Sequence, residues 1–327
     1  MSGLTMHLFG RPRVVLAPDV LVRFPTHKAQ DLFCYLVLGR THWHSRDALA
    51  GQFWADLPER QARKALRTTL WRVRALLENG RRGEGEYMMV ESDEICFNAA
   101  SEYWLDVQEF EHCISAARSS QTGSEDAEFS SLEPLTRAVE LYQGDLMQGC
   151  YEDWCLYERE RQREMYLGAL GKLTALHHAS GSYEEALRCG LRILSYDPLL
   201  EEVQREVMRL HCLAGNRAAA VRQYQLCRAA LAKELAIEPM EETTALYAQI
   251  CRGELIPTGV GRPTRPRQAE STAPGTPGGA LLLPPRIDQA LSDLRRAQAE
   301  LDHLGSRLRE TARRLGNLEQ DLGQGAL

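Results

Sequence analysis

The stretch "PERQARKALRTTLWRVRALLE", residues 58–78, puts six basic side chains and a tryptophan into a chain whose formal net charge is −6. Ala62, Leu66, Thr69, Leu70, Val73 and Leu77 recur at spacings of three and four and so share one side of a helix. Arg60, Lys64, Arg67, Trp71 and Arg74 recur on the other side, with Thr68 beside them and Arg63 and Arg72 on the flanks. Two readings compete. A charged stripe is usually the solvated face of an amphipathic helix. Solvation explains Trp71 less well, because an indole ring usually finds something to cover it, so the stripe is also a candidate nucleic-acid contact.

The flanking sequence separates the two. "LTMHLFGRPRVVL" and "VLVRFP" are short, β-rich and broken by Gly and Pro, which predicts strands. "THKAQDLFCYLVLGR" predicts a helix capped by Thr26, with Ala29, Leu32, Phe33, Leu36 and Val37 inward. "SRDALAGQFW" predicts a second helix capped by Ser45, with Leu49, Phe53 and Trp54 on one side. The 58–78 helix is the third, with Pro58 in its first turn. A Gly/Arg/Glu loop follows, then "EYMMVESDEICFN", a hairpin turning near Ser92. Strands, three helices and a hairpin make a winged helix-turn-helix, in which the third helix is the one that enters a DNA major groove.

Charge is distributed unevenly. Residues 1–100 hold 14 Lys+Arg against 11 Asp+Glu, residues 101–255 hold 15 against 26, and residues 256–327 hold 10 against 8. Phosphate attraction is screened within about 8 Å at physiological salt, so a basic first domain can bind nucleic acid within an acidic chain.

From about residue 102 the pattern is helical throughout, starting with "WLDVQEFEHCISAAR" and ending with "ALYAQIC"; "SSQTGSEDAEFSS" reads as a flexible loop. Gly181 and Gly215, like Ala186 and Ala220, are 34 residues apart. Asp197-Pro198 closes the first unit and Glu238-Pro239 the second, seven residues late. This is the period of tetratricopeptide helix pairs, whose stacked faces bind proteins or peptides. Residues 253–283 are rich in Gly, Pro and Thr and predict a disordered linker. Ile287, Leu294, Leu301, Leu308, Leu315 and Leu322 then recur every seven residues, with Ala290, Ala297, Leu304, Thr311 and Leu318 three places later. That register predicts a coiled coil, most simply a homodimer, or else a helix folding back on the helical region.

The expected architecture is mainly α: a winged helix with small sheets over 1–101, a tetratricopeptide-like domain over 102–252, a linker over 253–283 and a coiled-coil helix over 284–322. Each domain is long enough to bury its own core. No apolar run reaches membrane-span length and no signal-peptide pattern opens the chain, so a cytoplasmic location without membrane contact is expected. Nine scattered cysteines without a C-x-x-C pair indicate neither a disulfide framework nor a thiolate zinc site. Protease, hydrolase and dinucleotide motifs are absent, "GALGKLT" has the wrong glycine spacing for a phosphate loop, and His42 with His44 lacks a third ligand. The expectation is a non-enzyme with no cofactor and no metal. "YERERQRE", residues 157–164, reads as a solvated salt-bridged face.

"FPTHKAQDLFCYLVL", "RDALAGQFWADLPERQARKALRTTLWRVRALLE" and "ICFNAASEYWLDVQEFE" resemble the OmpR-type winged helix of SARP/AfsR-like bacterial transcriptional activators. "YQGDLMQGCYEDWCLYERERQREMYLGAL" and "GSYEEALRCGLRILSYDPLLEEVQREVMRLHCLAGNRAAAVRQYQLCRAALAKELAIEP" resemble the bacterial transcriptional activator domain that follows it. The resemblance covers residues 4 to 252. It implies binding to direct-repeat sites in double-stranded promoter DNA and recruitment of RNA polymerase, with 58–78 as the recognition helix and "WADLP" near polymerase. The DNA-contacting residues would be Arg60, Arg63, Lys64, Arg67, Thr68, Trp71, Arg72 and Arg74. The sequence departs from that pattern in its acidic wing tip, "ESDE", and in showing no nucleotide-binding domain. An alternative remains: a regulatory scaffold in which the winged helix docks proteins and the helical groove and coiled coil join partners.

Overall fold

In the computed structural model, residues 3–16, 20–77, 87–119 and 130–254 are described. The predicted linker and coiled coil, and most of the "SSQTGSEDAEFSS" loop, lie outside these residues.

The chain opens with β1 (Leu4–His7), β2 (Arg13–Leu16) and β3 (Val20–Leu21), followed by α1 (His27–Leu38). β1, β2 and β3 pair antiparallel in sequence order. Thr26 caps α1 as expected, its side chain accepting from the Ala29 N–H at 3.1 Å, and every predicted inward residue of that helix is buried. β4 (His44–Ser45) leads into α2 (Arg46–Phe53), then α3 (Glu59–Leu77). Ser45 does not cap α2 with its side chain. It is a strand residue paired with Glu94, and the Arg46 N–H goes instead to the Asp93 carbonyl at 2.9 Å. Pro58 stands one place before α3, its carbonyl accepting from Gln61 and Ala62.

β5 (Met88–Glu91) and β6 (Glu94–Phe97) form the hairpin, turning at Ser92-Asp93 with Ser92 at φ +50°. β4 joins them in the order β4-β6-β5. This is the winged helix that the sequence predicts.

The next segment departs from expectation. Trp104 and Leu105 are not helical: β7 (Tyr103–Leu105) pairs in parallel with β1 and completes a sheet of order β3-β2-β1-β7. Helix begins only at Asp106, with α4 (Asp106–Ser119). The Asp106 carboxylate is the reason for the change. It accepts from its neighbour Val107 N–H at the helix start and from the Leu8 and Phe9 N–H groups beyond the end of β1, at 2.7–2.9 Å.

α5 (Leu132–Leu141), α6 (Asp153–Ala179), α7 (Tyr183–Tyr196), α8 (Glu201–Leu213), α9 (Arg217–Glu234) and α10 (Glu241–Arg252) follow, each packed on the next. The 34-residue repeat has a definite backbone meaning. Gly181 (φ +74°) and Gly215 (φ +76°) occupy the left-handed position after α6 and α8, and the next residue's N–H reaches back to His177 and His211 respectively. Gly253 (φ +79°) ends α10 in the same way. The late Pro239 comes from a longer α9, by one turn relative to α7, and a longer connection to α10. Ala186 and Ala220 are fully buried, and a side chain at Gly190 would meet Val207 Cγ2 at 2.8 Å, so small residues sit where helices approach closely.

The two regions do not bury separate cores. One apolar cluster runs from Leu4 through the winged helix to Ile193, and a smaller one joins Met208, Cys212, Ala220, Leu246 and Ile250. Across the junction, the Phe9 ring lies 5.2 Å from Phe110 and 4.7 Å from Tyr142, which stacks on Tyr166 at 4.1 Å. The backbone at 145–148 pairs with residues 8–10. "YERERQRE" is more than a solvated face. Arg159 donates to the Leu146, Met147 and Cys150 carbonyls, Arg161 reaches Glu111 and Glu158, and Arg163 reaches Asp145.

Candidate nucleic-acid interface

α3 exposes its basic face because the opposite face has nowhere else to go. Ala62, Leu66, Leu70, Val73 and Leu77 are buried, and the helix packs against α1 and α2. Lys28 on α1 fixes the approach: its ammonium donates to the Phe53 carbonyl at 2.6 Å and lies 5.6 Å from the Trp54 ring. A cation on the last carbonyls of α2 complements the helix dipole there and sets the turn into α3.

The eight candidate contacts fall into two groups. Arg60, Lys64, Arg67, Thr68, Trp71 and Arg72 are exposed, and Trp71 is 68 % exposed, the most open of the described tryptophans. Arg60, Lys64, Arg67 and Arg72 have no ion-pair partner among the described residues. The Thr68 hydroxyl donates to the Lys64 carbonyl at 3.0 Å. This holds its side chain along the helix wall.

Arg63 and Arg74 are engaged within the protein. The Arg63 guanidinium grips both Asp47 oxygens at 2.6 and 2.7 Å and Glu59 at 2.7 Å, which locks the start of α3 onto α2. Arg74 is half-buried and donates to the Met88 carbonyl at 2.8 Å, tying the last turn of α3 to the wing. The Glu59–Arg63 pair is legible as an i, i+4 spacing. Asp47 and Met88 are not, because only the tertiary fold brings them near.

Beside the helix, the wing turn carries Glu91, Asp93 and Glu94, all exposed. Phosphate contacts favour Arg, Lys or backbone N–H groups, so the turn is electrostatically opposed to the helix it flanks. Its backbone has a structural use, since Asp93 holds the start of α2.

No group of three or more His, Cys, Asp or Glu side chains among the described residues could hold a metal ion. His44 lies 5.1 Å from the Tyr35 ring and 3.4 Å from the Gly39 carbonyl, and burial lowers its pKa. His178 pairs with Glu206 at 2.7 Å, linking α6 to α8. No described helix is long and apolar enough to cross a membrane.

Residues 105–251 match the bacterial transcriptional activator domain. The chain is 25 % identical over 253 residues to the regulatory protein AfsR of Streptomyces coelicolor, a match that covers 76 % of this chain and 24 % of AfsR. The chain therefore spans about a quarter of that relative. It is 24 % identical over 257 residues to the transcriptional regulatory protein MoaR1 of Mycobacterium tuberculosis, covering 74 % of this chain and 78 % of MoaR1. In fold it is similar to Mycobacterium tuberculosis EmbR, solved in complex with a low-affinity phosphopeptide, with a TM-score of 0.60 and 18 % identity, covering 76 % of this chain and 65 % of EmbR. With a winged helix joined through a shared core to a region that matches the bacterial transcriptional activator domain, the chain is similar to the SARP/AfsR-like regulators.

Proposed function

We propose that this chain is a transcription activator that binds double-stranded promoter DNA with α3 in the major groove and recruits RNA polymerase. The observation that carries the reading is the exposed face of α3, where four cations without ion-pair partners among the described residues and Trp71 lie opposite a buried side. Such a face costs little to bring to phosphates, because no ion pair with another described residue has to break first. Arg60, Lys64, Arg67 and Arg72 approach phosphates or guanine edges, and Thr68 and Trp71 approach thymine methyls or sugars. Arg63 and Arg74 serve by fixing the helix to α2 and to the wing. The acidic turn at 91–94 makes no phosphate contact. The protein acts in the cytoplasm, and the heptad segment over 284–322 pairs two chains.

The test is anisotropy of the purified chain on duplex fragments from promoter regions near its own gene, followed by transcription with added polymerase. Selective, salt-sensitive binding with raised transcript yield supports the reading. Binding no tighter than that of an unrelated acidic protein overturns it, and would make the winged helix a protein-docking module.

A further inference from the structure

The α7–α8 and α9–α10 connections meet at one end of the helical region. The buried Glu201 carboxylate, at the start of α8, accepts from the Met240 N–H at 2.9 Å and from the Thr243 hydroxyl, to which Arg205 also donates at 2.9 Å. The start of α10 is thereby held to the start of α8. Beside this anchor four large apolar residues face solvent: Leu200, Leu235, Ile237 and Met240, from 38 % exposed at Leu200 to 58 % at Met240. Ala236 (φ +56°) ends α9 in the left-handed position that glycine takes after α6, α8 and α10, and the Ile237 N–H reaches back to the Leu231 carbonyl. That turn leaves both neighbours of Ala236 on the surface.

Carboxylates flank these residues. Glu202, Glu234, Glu238, Glu241 and Glu242 are exposed, and the cations beside them are already paired, Lys233 with Glu234 at 2.7 Å and Arg228 with Glu238 at 3.0 Å. Acids in the first turns of α8 and α10 suit those helix dipoles, which accounts for Glu202, Glu241 and Glu242 without a ligand. It does not account for the four apolar residues. Exposed apolar residues with a charged rim are the form of a protein-docking surface, and the sign of the rim selects the occupant. Nucleic acid, an anionic membrane and a second copy of the same acidic surface would each bring like charge to it. A helix with apolar residues on one side and Lys or Arg beside them brings apolar area and opposite charge together.

We propose that Leu200, Leu235, Ile237 and Met240 form a docking surface for a basic amphipathic helix of a partner protein. The apolar side of that helix covers the four residues. Its Lys and Arg side chains meet Glu202, Glu241 and Glu242, which have no ion-pair partner among the described residues. The bonds from Met240 and Thr243 to Glu201 keep the surface formed before the partner arrives, so little ordering opposes binding. The surface involves no residue of α3, so its partner binds whether or not α3 meets DNA.

The test titrates the full chain into a fluorescein-labelled synthetic helix of leucine and lysine and follows anisotropy. A leucine–glutamate helix of the same pattern and a scrambled leucine–lysine peptide that cannot segregate its faces serve as controls. The leucine–lysine helix should bind, and both controls should bind at least about tenfold more weakly. Ile237→Ser/Met240→Ser leaves every charge in place and should weaken binding about tenfold, with circular dichroism unchanged. Glu241→Gln/Glu242→Gln should weaken it too, with a shallower salt dependence. The proposal is overturned if the scrambled peptide binds as well as the helix, or if the Ile237→Ser/Met240→Ser variant binds like wild type, since either result means general attraction to an acidic region. It is also overturned if that variant abolishes self-association in sedimentation while the helix never binds, which would make the surface a contact between copies of this chain.

Discussion

Arg40, two residues past the end of α1, donates to Glu111 on α4 at 3.1 Å, and Glu111 also accepts from Arg161 and Gln162 of α6. One carboxylate therefore joins the winged helix to two helices of the activator domain. Burial alone would raise its pKa, but the bonds from Arg161, Gln162 and Arg40 outweigh burial and hold it below the ordinary carboxylate range.

A depressed folded pKa contributes stability that is present above the unfolded value, about 4.3 for Glu, and is lost as pH falls through the folded value. Glu111→Gln should therefore lower the midpoint of urea unfolding at pH 7. The difference from wild type should shrink as pH falls below about 4. Urea melts at several pH values check this, and an equal deficit at all of them would remove the ionised bridge from the account.

The two groups of basic residues on α3 should separate in a binding assay. Lys64→Ala removes a cation without an ion-pair partner among the described residues and should weaken DNA binding by about 1.4 kcal/mol, close to tenfold. Arg63→Ala removes a cation already paired with Asp47 and Glu59 and leaves those two acids uncompensated. Its stability cost should be small, because the pair is exposed. A loss of the Asp47 anchor without loss of the salt slope would show that Arg63 positions α3, whereas an equal fall in slope for both variants would make Arg63 a phosphate contact.

Reversing the wing charge is expected to help binding. Glu94→Lys removes like-charge repulsion from a turn beside the interface, and affinity for any duplex should rise, with a steeper salt dependence. Anisotropy on a nonspecific fragment measures it. Unchanged affinity would place the wing away from DNA.

Gly190 lies where α7 meets α8, and a Cβ there would stand 2.8 Å from Val207 Cγ2. Gly190→Ala gains about 1 kcal/mol in helix propensity but incurs an overpacking cost of about 1–3 kcal/mol. Val207 is branched and fully buried, so the balance should be a net loss of stability. Thermal melts of the variant check the sign. A rise in Tm would mean that the helices separate at little cost.

The winged helix was legible because its signals are local. The three-and-four spacing of Ala62, Leu66, Leu70, Val73 and Leu77, the Thr26 cap and the alternation around Ser92 all depend on near neighbours. The glycine period marked the helix turns for the same reason, since Gly181 and Gly215 occupy a backbone region that side chains disfavour. What the sequence hid depends on distant residues. Trp104 and Leu105 continue an apolar pattern that predicts helix, and only pairing with β1 makes them a strand. Arg159, Arg161 and Arg163 carry helical charge spacing, yet their partners are carbonyls and carboxylates on other elements. On α3, spacing placed Arg63 and Arg74 beside Lys64 and Arg67, and tertiary neighbours separate them.

The most direct measurement is the slope of log affinity against log salt for wild type and for Lys64→Ala/Arg67→Ala on one promoter fragment. Each phosphate contact contributes about 0.9 to that slope on duplex DNA. If both side chains meet phosphates, the double variant should lose about 1.8, with circular dichroism unchanged. An unchanged slope with the fold intact would contradict the claim that this face of α3 meets DNA.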